Sequence, residues 1–415
     1  MNCNMTRGIY LRANGELNCY CSTGEQVTLG KLPPKDGDWN FVRDVYRGKR
    51  FSRVREAMAR DILPFPRFCT KCNYLSPEVP AGPEGSETIE WVHLEASALC
   101  NLRCPFCVHG ASPDKGSRLR PKPHFLDPDL YRKMLDDIRD AGMGIRWIYF
   151  SGRGEPTLHP QVWNMVAETK ERFDTNFLVN TNGNARFDPM IVDSGLDKIK
   201  IALDSLEQDV YARYRIGGSV ETLLRLTDQI AEYKARTGRN NPTIVWQKVL
   251  FSFNSTPEQV AEYQRAAQRH GVDRIRLFFT WTKDFAERSL DEYDLFFPDI
   301  EIHNPYQRGL ATPEELDAAR LRAREEGSPG GMIKVLSNYM HWAEHGTDDR
   351  FEYDAYARMG LCRPELYALR GEDEHSRAHF RIFNEALHDL AELYAGRGET
   401  IQANLYRGLF ARLGA

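Results

Sequence analysis

Between Thr88 and Thr280 the chain repeats one pattern: a short apolar run, then a helical stretch with one apolar face. "TIEWVHLEAS" reads as the first strand and "DPDLYRKMLDDIRDAG" as the helix behind it, with Asp127 as N-cap and Gly142 as the stop. The strands "IRWIYFSG", "DTNFLVNTNG", "DKIKIALDS", "TIVWQKVLF" and "RIRLFFT" follow, separated by "HPQVWNMVAETKERF", "DPMIVDSG", "VETLLRLTDQIAEYKARTG" and "TPEQVAEYQRAAQRHG". Helices that carry the chain back between strands make those strands parallel, so the expected class is α/β, a parallel sheet or a partial (β/α)6 barrel over 88–280. Two flanks differ in character. Residues 1–76, with "GIYLRANGELNCYC" and "FSRVREAMARDI", suggest a small N-terminal α+β domain, joined by a Pro/Gly-rich linker at 77–87. Residues 281–415 read as a mainly helical C-terminal extension.

Nine cysteines in 415 residues, with no secretion signal, are poorly explained by disulfides, because cytosolic thiols are kept reduced. Their grouping is more telling. Cys3, Cys19 and Cys21 come early, Cys69 and Cys72 form a CxxC, Cys362 stands alone, and "CNLRCPFC" places Cys100, Cys104 and Cys107 just after the first strand. In a parallel barrel the loops after the strands form the active face. Three thiolates leave tetrahedral zinc one ligand short, and His109 sits awkwardly close to Cys107 to close the tetrahedron. A 4Fe–4S cluster normally takes four cysteines, so a triplet leaves one iron open.

The CxxxCxφC arrangement of Cys100, Cys104, Phe106 and Cys107 resembles the signature of radical S-adenosylmethionine (radical SAM) enzymes. In that family the open iron chelates the amine and carboxylate of SAM. The resemblance covers residues 88–280 and extends to "SGRGEP", similar to the family's GGEP-type motif, with Gly152, Gly154 and Glu155 as expected cofactor contacts. It also assigns Asn180 and Asn182 of "VNTNG", and Asp204 and Ser205 of "ALDS", to cofactor binding. Gln247 and Lys248 are not separable from ordinary strand residues. The implied chemistry is reductive cleavage of SAM to a 5′-deoxyadenosyl radical, which takes a hydrogen atom from substrate. Flavodoxin or ferredoxin is the expected electron donor.

On spacing alone, Cys19, Cys21, Cys69 and Cys72 suit zinc or a second 4Fe–4S cluster, and Cys3 is an alternative to Cys19 or Cys21. The segment resembles the SPASM/twitch auxiliary-cluster domains of radical SAM enzymes, here placed before the barrel, which implies the second cluster. Cys362 reads either as a small buried residue or as a thiol that returns a hydrogen atom to a substrate radical, as in radical SAM sugar epimerases.

Lys115, Arg118, Arg120 and Lys122 follow the triplet, and Arg213 and Arg215 lie in "RYRIGGS". Two basic loops on the active face suggest an anionic substrate, sugar-like or nucleotide-like. The expected function is a tailoring reaction in antibiotic-type biosynthesis, with oxidation, epimerisation or sulfur insertion as outcome. A radical SAM peptide maturase is the alternative, and the intact motifs argue against a non-catalytic metal scaffold. With 55 basic and 59 acidic residues, net −4, nucleic acid is not an expected partner. No run of 18 apolar residues suggests a membrane span, and the expected location is the cytoplasm.

Overall fold

The computed structural model describes residues 2–19, 27–65, 69, 75–76, 87–105, 107, 122–152, 154–279, 292–303, 312–333, 335–336 and 374–413. The six expected strands are present as β6 (Thr88–Leu94), β7 (Gly144–Phe150), β8 (Asn176–Thr181), β9 (Lys198–Ala202), β10 (Thr243–Leu250) and β11 (Arg274–Phe279), and each pairs in parallel with the next. Preceding them are β1 (Asn2–Cys3), β2 (Gly8–Leu11), β3 (Glu16–Cys19), β4 (Val27–Lys31) and β5 (Leu75–Ser76), and β12 (Ile300–His303) follows. The main sheet has ten strands in the order β12-β11-β10-β9-β8-β7-β6-β2-β3-β4, while β1 and β5 pair separately.

The helices are α1 (Lys49–Ala59), α2 (Pro128–Asp140), α3 (Val162–Arg172), α4 (Met190–Asp193), α5 (Gln208–Ala212), α6 (Val220–Thr237), α7 (Pro257–Arg269), α8 (Pro313–Glu325), α9 (Glu374–Gly396) and α10 (Thr400–Leu413). Their ends follow local chemistry. Asp127 accepts the Asp129 N–H at the start of α2, with Pro128 in the first turn, and Thr256 forms a capping box with Gln259 on α7. Gly238 ends α6 in the left-handed region, which a Cβ would strain. The apolar faces of α2, α3, α6 and α7 (Leu135, Val166, Leu226 and Tyr263 among them) meet one face of the sheet in a single core. Burying a side chain such as Leu226 there stabilises the fold by about 1.5–3 kcal/mol.

The other sheet face divides in two. At the β2–β6 end it meets a second core, in which Tyr10, Met58 and Cys69 join Phe383, Leu390, Tyr394 and Tyr406 of the C-terminal helices. Along β7, β9 and β11 the alternate residues stay partly accessible while their neighbours are buried. This period-two pattern marks one face packed on helices and one face left open among the described residues.

Two features depart from the sequence reading. The parallel sheet extends past residue 281 to β12, a strand of four residues that pairs with β11 and is too short for periodicity to mark. The N-terminal hairpin β2–β3 joins the barrel sheet itself, β2 pairing in parallel with β6. Gly8 permits this contact: a Cβ there would stand 2.2 Å from the Trp91 ring. No helix of the described residues is long and apolar enough to cross a membrane.

Candidate active site

The three thiols lie on the loop leaving β6, and neighbouring strand ends hold that loop from several sides. Ser97 accepts the Leu99 N–H at 3.0 Å, and Leu99 O accepts the Glu155 N–H at 2.7 Å from the loop after β7. Gly154 makes this approach possible, since a Cβ there would meet Ser97 O at 1.9 Å and Leu99 O at 2.8 Å. Asn101 donates to Asn184 O at 2.9 Å after β8, and the Arg103 N–H donates to Ile216 O at 3.0 Å in the loop before α6.

Glu155 is buried, and protein donors surround its carboxylate. One oxygen accepts from Thr157 N–H, Thr157 Oγ1 and Thr181 Oγ1 at 3.1, 2.8 and 2.7 Å, the other from Asn182 N–H at 2.7 Å. Burial still raises its pKa above the usual carboxylate range, with the four donors pulling the other way. Glu155 therefore ties the ends of β7 and β8 together. Asn182, held through its backbone, turns its amide to Asn101 Oδ1 at 2.7 Å and to Cys100 Sγ at 3.8 Å.

Asp204, two residues past the end of β9, holds the next part. Its Oδ1 accepts the Val249 N–H at 2.7 Å and its Oδ2 the Arg215 Nε–H at 2.5 Å, while Arg215 Nη1 reaches Cys104 Sγ at 3.9 Å. Arg215 lies over the Tyr214 ring, and the Asp204 carboxylate helps keep it protonated. Asp204 O also accepts from Lys248 Nζ at 2.5 Å and Asn254 Nδ2 at 2.8 Å.

Burial pushes the Cys104 thiol up to about 11 and raises that of Cys100 as well, so without compensation these thiols stay protonated. Three N–H donors nevertheless point at their sulfurs: Leu102 N at 3.4 Å and Asn182 Nδ2 on Cys100, and Arg215 Nη1 on Cys104. Such donors suit cluster-bound thiolates. The surroundings of Cys100 and Cys104 therefore suit cluster thiolates, while among the described residues no three metal-ligating side chains converge as they stand on a single metal position.

A family model for the radical SAM superfamily matches residues 94–245, which span the thiol loop and the strand ends that clasp it. GTP 3′,8-cyclase 2 of Mycobacterium tuberculosis is 31% identical over 277 residues, covering 63% of this chain and 71% of that protein. The chain belongs to the radical SAM superfamily. The tungsten-containing aldehyde ferredoxin oxidoreductase cofactor-modifying protein of Pyrococcus furiosus is 30% identical over 194 residues, 45% of this chain and 50% of that protein. GTP 3′,8-cyclase of Chlorobaculum tepidum is 28% identical over 159 residues, 37% of this chain and 44% of that protein. The chain thus spans half or less of the length of these last two relatives. The superfamily's use of S-adenosylmethionine with a 4Fe–4S cluster accords with the thiol loop and its donors.

Of the residues singled out in the sequence, Cys100, Cys104, Cys107, Gly152, Gly154, Glu155, Asn182, Asp204 and Ser205 fall on the loop and strand ends just described. Asn180 is exposed on β8, one turn of the pleat below Asn182. Arg215 does not face outward as a loop cation would, because Asp204 and Cys104 hold it inside. Arg213 is exposed and stacks on Phe253, its guanidinium 4.2 Å from the ring centroid. Cys19 and Cys69 both border the second core, and Cys3 sits on β1 opposite Leu75. Cys21, Cys72, Phe106, Lys115, Arg118, Arg120 and Cys362 lie outside the described residues. The sequence reading missed Lys248, which is 1% exposed and bonded to Asp204 O. A lysine inside the apolar run "TIVWQKVLF" was the available signal.

Proposed function

We propose that Cys100, Cys104 and Cys107 hold the cluster, and that the enzyme acts on an anionic small molecule, sugar-like or nucleotide-like, in natural-product biosynthesis. The observation that carries this reading is the three-thiol loop clasped by Glu155, Asn182 and Arg215. When bound there, the cluster and SAM supply one-electron cleavage of SAM and removal of a substrate hydrogen atom. The chain's own part is to fix that chemistry in place. Leu102 N–H, the Asn182 amide and Arg215 spread the negative charge of the thiolates. Glu155 and Gly154 keep the β7 loop against the thiol loop, leaving backbone groups of Gly152 and Gly154 for the amino group of SAM.

The GTP 3′,8-cyclase relatives support a nucleotide-like substrate, while oxidation, epimerisation and sulfur insertion all remain within the proposal. A second cluster on Cys19, Cys21, Cys69 and Cys72, in a SPASM/twitch-like N-terminal unit, is part of the same reading, as are a flavodoxin or ferredoxin donor and a cytoplasmic location. The arrangement of Cys19 and Cys69 on one core supports the second cluster. In the test, protein reconstituted without oxygen and reduced with dithionite is expected to convert SAM to 5′-deoxyadenosine. No product above a Cys100→Ala control overturns the reading. Iron and sulfide retained by a Cys100/Cys104/Cys107 triple alanine variant measure the second cluster separately.

A further inference from the structure

The open face of β9, β10 and β11 carries an unbalanced charge. Register places Asn180, Lys200, Val245 and Arg274 in one row across β8 to β11, with Gln247 beside Arg276 one row nearer the thiol loop and Lys198 one row further away. Arg274 pairs with Asp299 at 2.8 Å and Arg276 with Glu301 at 3.0 Å, and Arg276 also donates to Gln247 Oε1 at 3.2 Å. Lys198 and Lys200 have no carboxylate within ion-pair distance among the described residues. Among the described residues, four cations against two carboxylates leave two positive charges on a half-buried sheet face. Desolvating such charge without a counterion is costly, a cost that an anion bound on this face would offset.

The strain on Lys200 points the same way: burial first, then Arg276 beside it, bring its ammonium down to about 8. On β7 the same face presents Trp147 and Tyr149, whose rings stack at 6.0 Å and 13°, and Tyr149 stands in register with Leu178 and so with Lys198. From Lys200 to Asp204, two residues past the end of β9, an extended chain rises about 13 Å, comparable to the length of a nucleotide.

We propose that Lys200, with Lys198 and Arg276, forms a subsite for the phosphate of a phosphorylated small-molecule substrate, inside the sheet's open face. The two surplus charges match a phosphate dianion, and Asn180 and Gln247 flank the position with neutral amides. This subsite rests on the reading of an anionic substrate, and it moves the anion from the loop around Arg213 and Arg215 to the strands.

The probe is inorganic pyrophosphate, titrated calorimetrically into the reconstituted protein at fixed ionic strength. The wild type is expected to bind it saturably, Lys200→Gln to bind at least about tenfold more weakly, and Lys200→Arg to stay close to wild type. Arg225→Gln, on the outer helix α6, is expected to leave pyrophosphate affinity unchanged. Circular dichroism and iron content equal to wild type show that the Lys200 variants are folded. Absence of saturable binding to the wild type overturns the subsite, and so does equal binding by Lys200→Gln. If Lys200→Gln does not fold, loss of binding in Arg276→Gln supports the subsite and retained binding overturns it. SAM cleavage, assayed without pyrophosphate, reports the enzyme reading independently, so failure of the subsite and failure of that reading are told apart.

Discussion

Replacing Asp204 with alanine isolates the ion pair that braces the thiol loop. The Arg215 side chain is 14% exposed and that of Asp204 2%, with Nε and Oδ2 2.5 Å apart. Unit charges with centres about 4 Å apart attract by about 4 kcal/mol at an effective dielectric of about 20. Removing the carboxylate leaves a buried guanidinium uncompensated, a loss of about 3–5 kcal/mol, and strips the Val249 N–H of its acceptor. Unfolding entropy near 2.1 cal/mol/K per residue over 415 residues turns about 4 kcal/mol into a fall of about 5 °C in the unfolding midpoint. Differential scanning fluorimetry of the metal-free protein reads this without involving the cluster. The decisive comparison is the double variant Asp204→Ala/Arg215→Met, which removes the stranded charge and should recover roughly half of the lost midpoint. If the double variant is as unstable as the sum of its singles, Arg215 is not the charge that Asp204 neutralises and the argument fails.

Gly154→Ala forces a Cβ to within 1.9 Å of Ser97 O, so the β7 and thiol loops must part; iron bound after reconstitution should fall several-fold, and wild-type loading contradicts the close-approach argument. Lys248 is buried and its ammonium is held down to about 8, from 10.5, so between pH 8 and 10.5 the unfolded chain binds the extra proton and native stability rises with pH. Lys248→Met removes this contribution: the stability difference, wild type minus variant, should grow by about 1–2 kcal/mol from pH 8 to 9.5, and a flat difference in denaturant titrations refutes it.

The six parallel strands were legible because their neighbours in space are also neighbours in sequence, so periodicity and caps such as Asp127 and Thr256 carry the information. The triplet at Cys100, Cys104 and Cys107 was legible for the same reason. What depends on distant pairing was not. Nothing around "GIYL" announces that β2 will lie against β6, and only the missing Cβ of Gly8 opposite Trp91 records it. Arg215 reads as one more loop cation until the fold brings Asp204, a short way back in the chain, around to face it. The alternation of Lys198, Ile199, Lys200 and Ile201 was visible as a strand, but which neighbours share the lysine face is decided by register with β8, β10 and β11.

The central claim, three cysteines holding a cluster with one iron open to SAM, is tested most directly by electron paramagnetic resonance of the dithionite-reduced protein before and after SAM is added. The account expects a low-temperature signal that changes in shape and g values with SAM in the wild type. In a Cys100/Cys104/Cys107 triple alanine variant, any signal that remains should not respond to SAM. A wild-type spectrum indifferent to SAM, or a triple variant that still responds to it, contradicts the account.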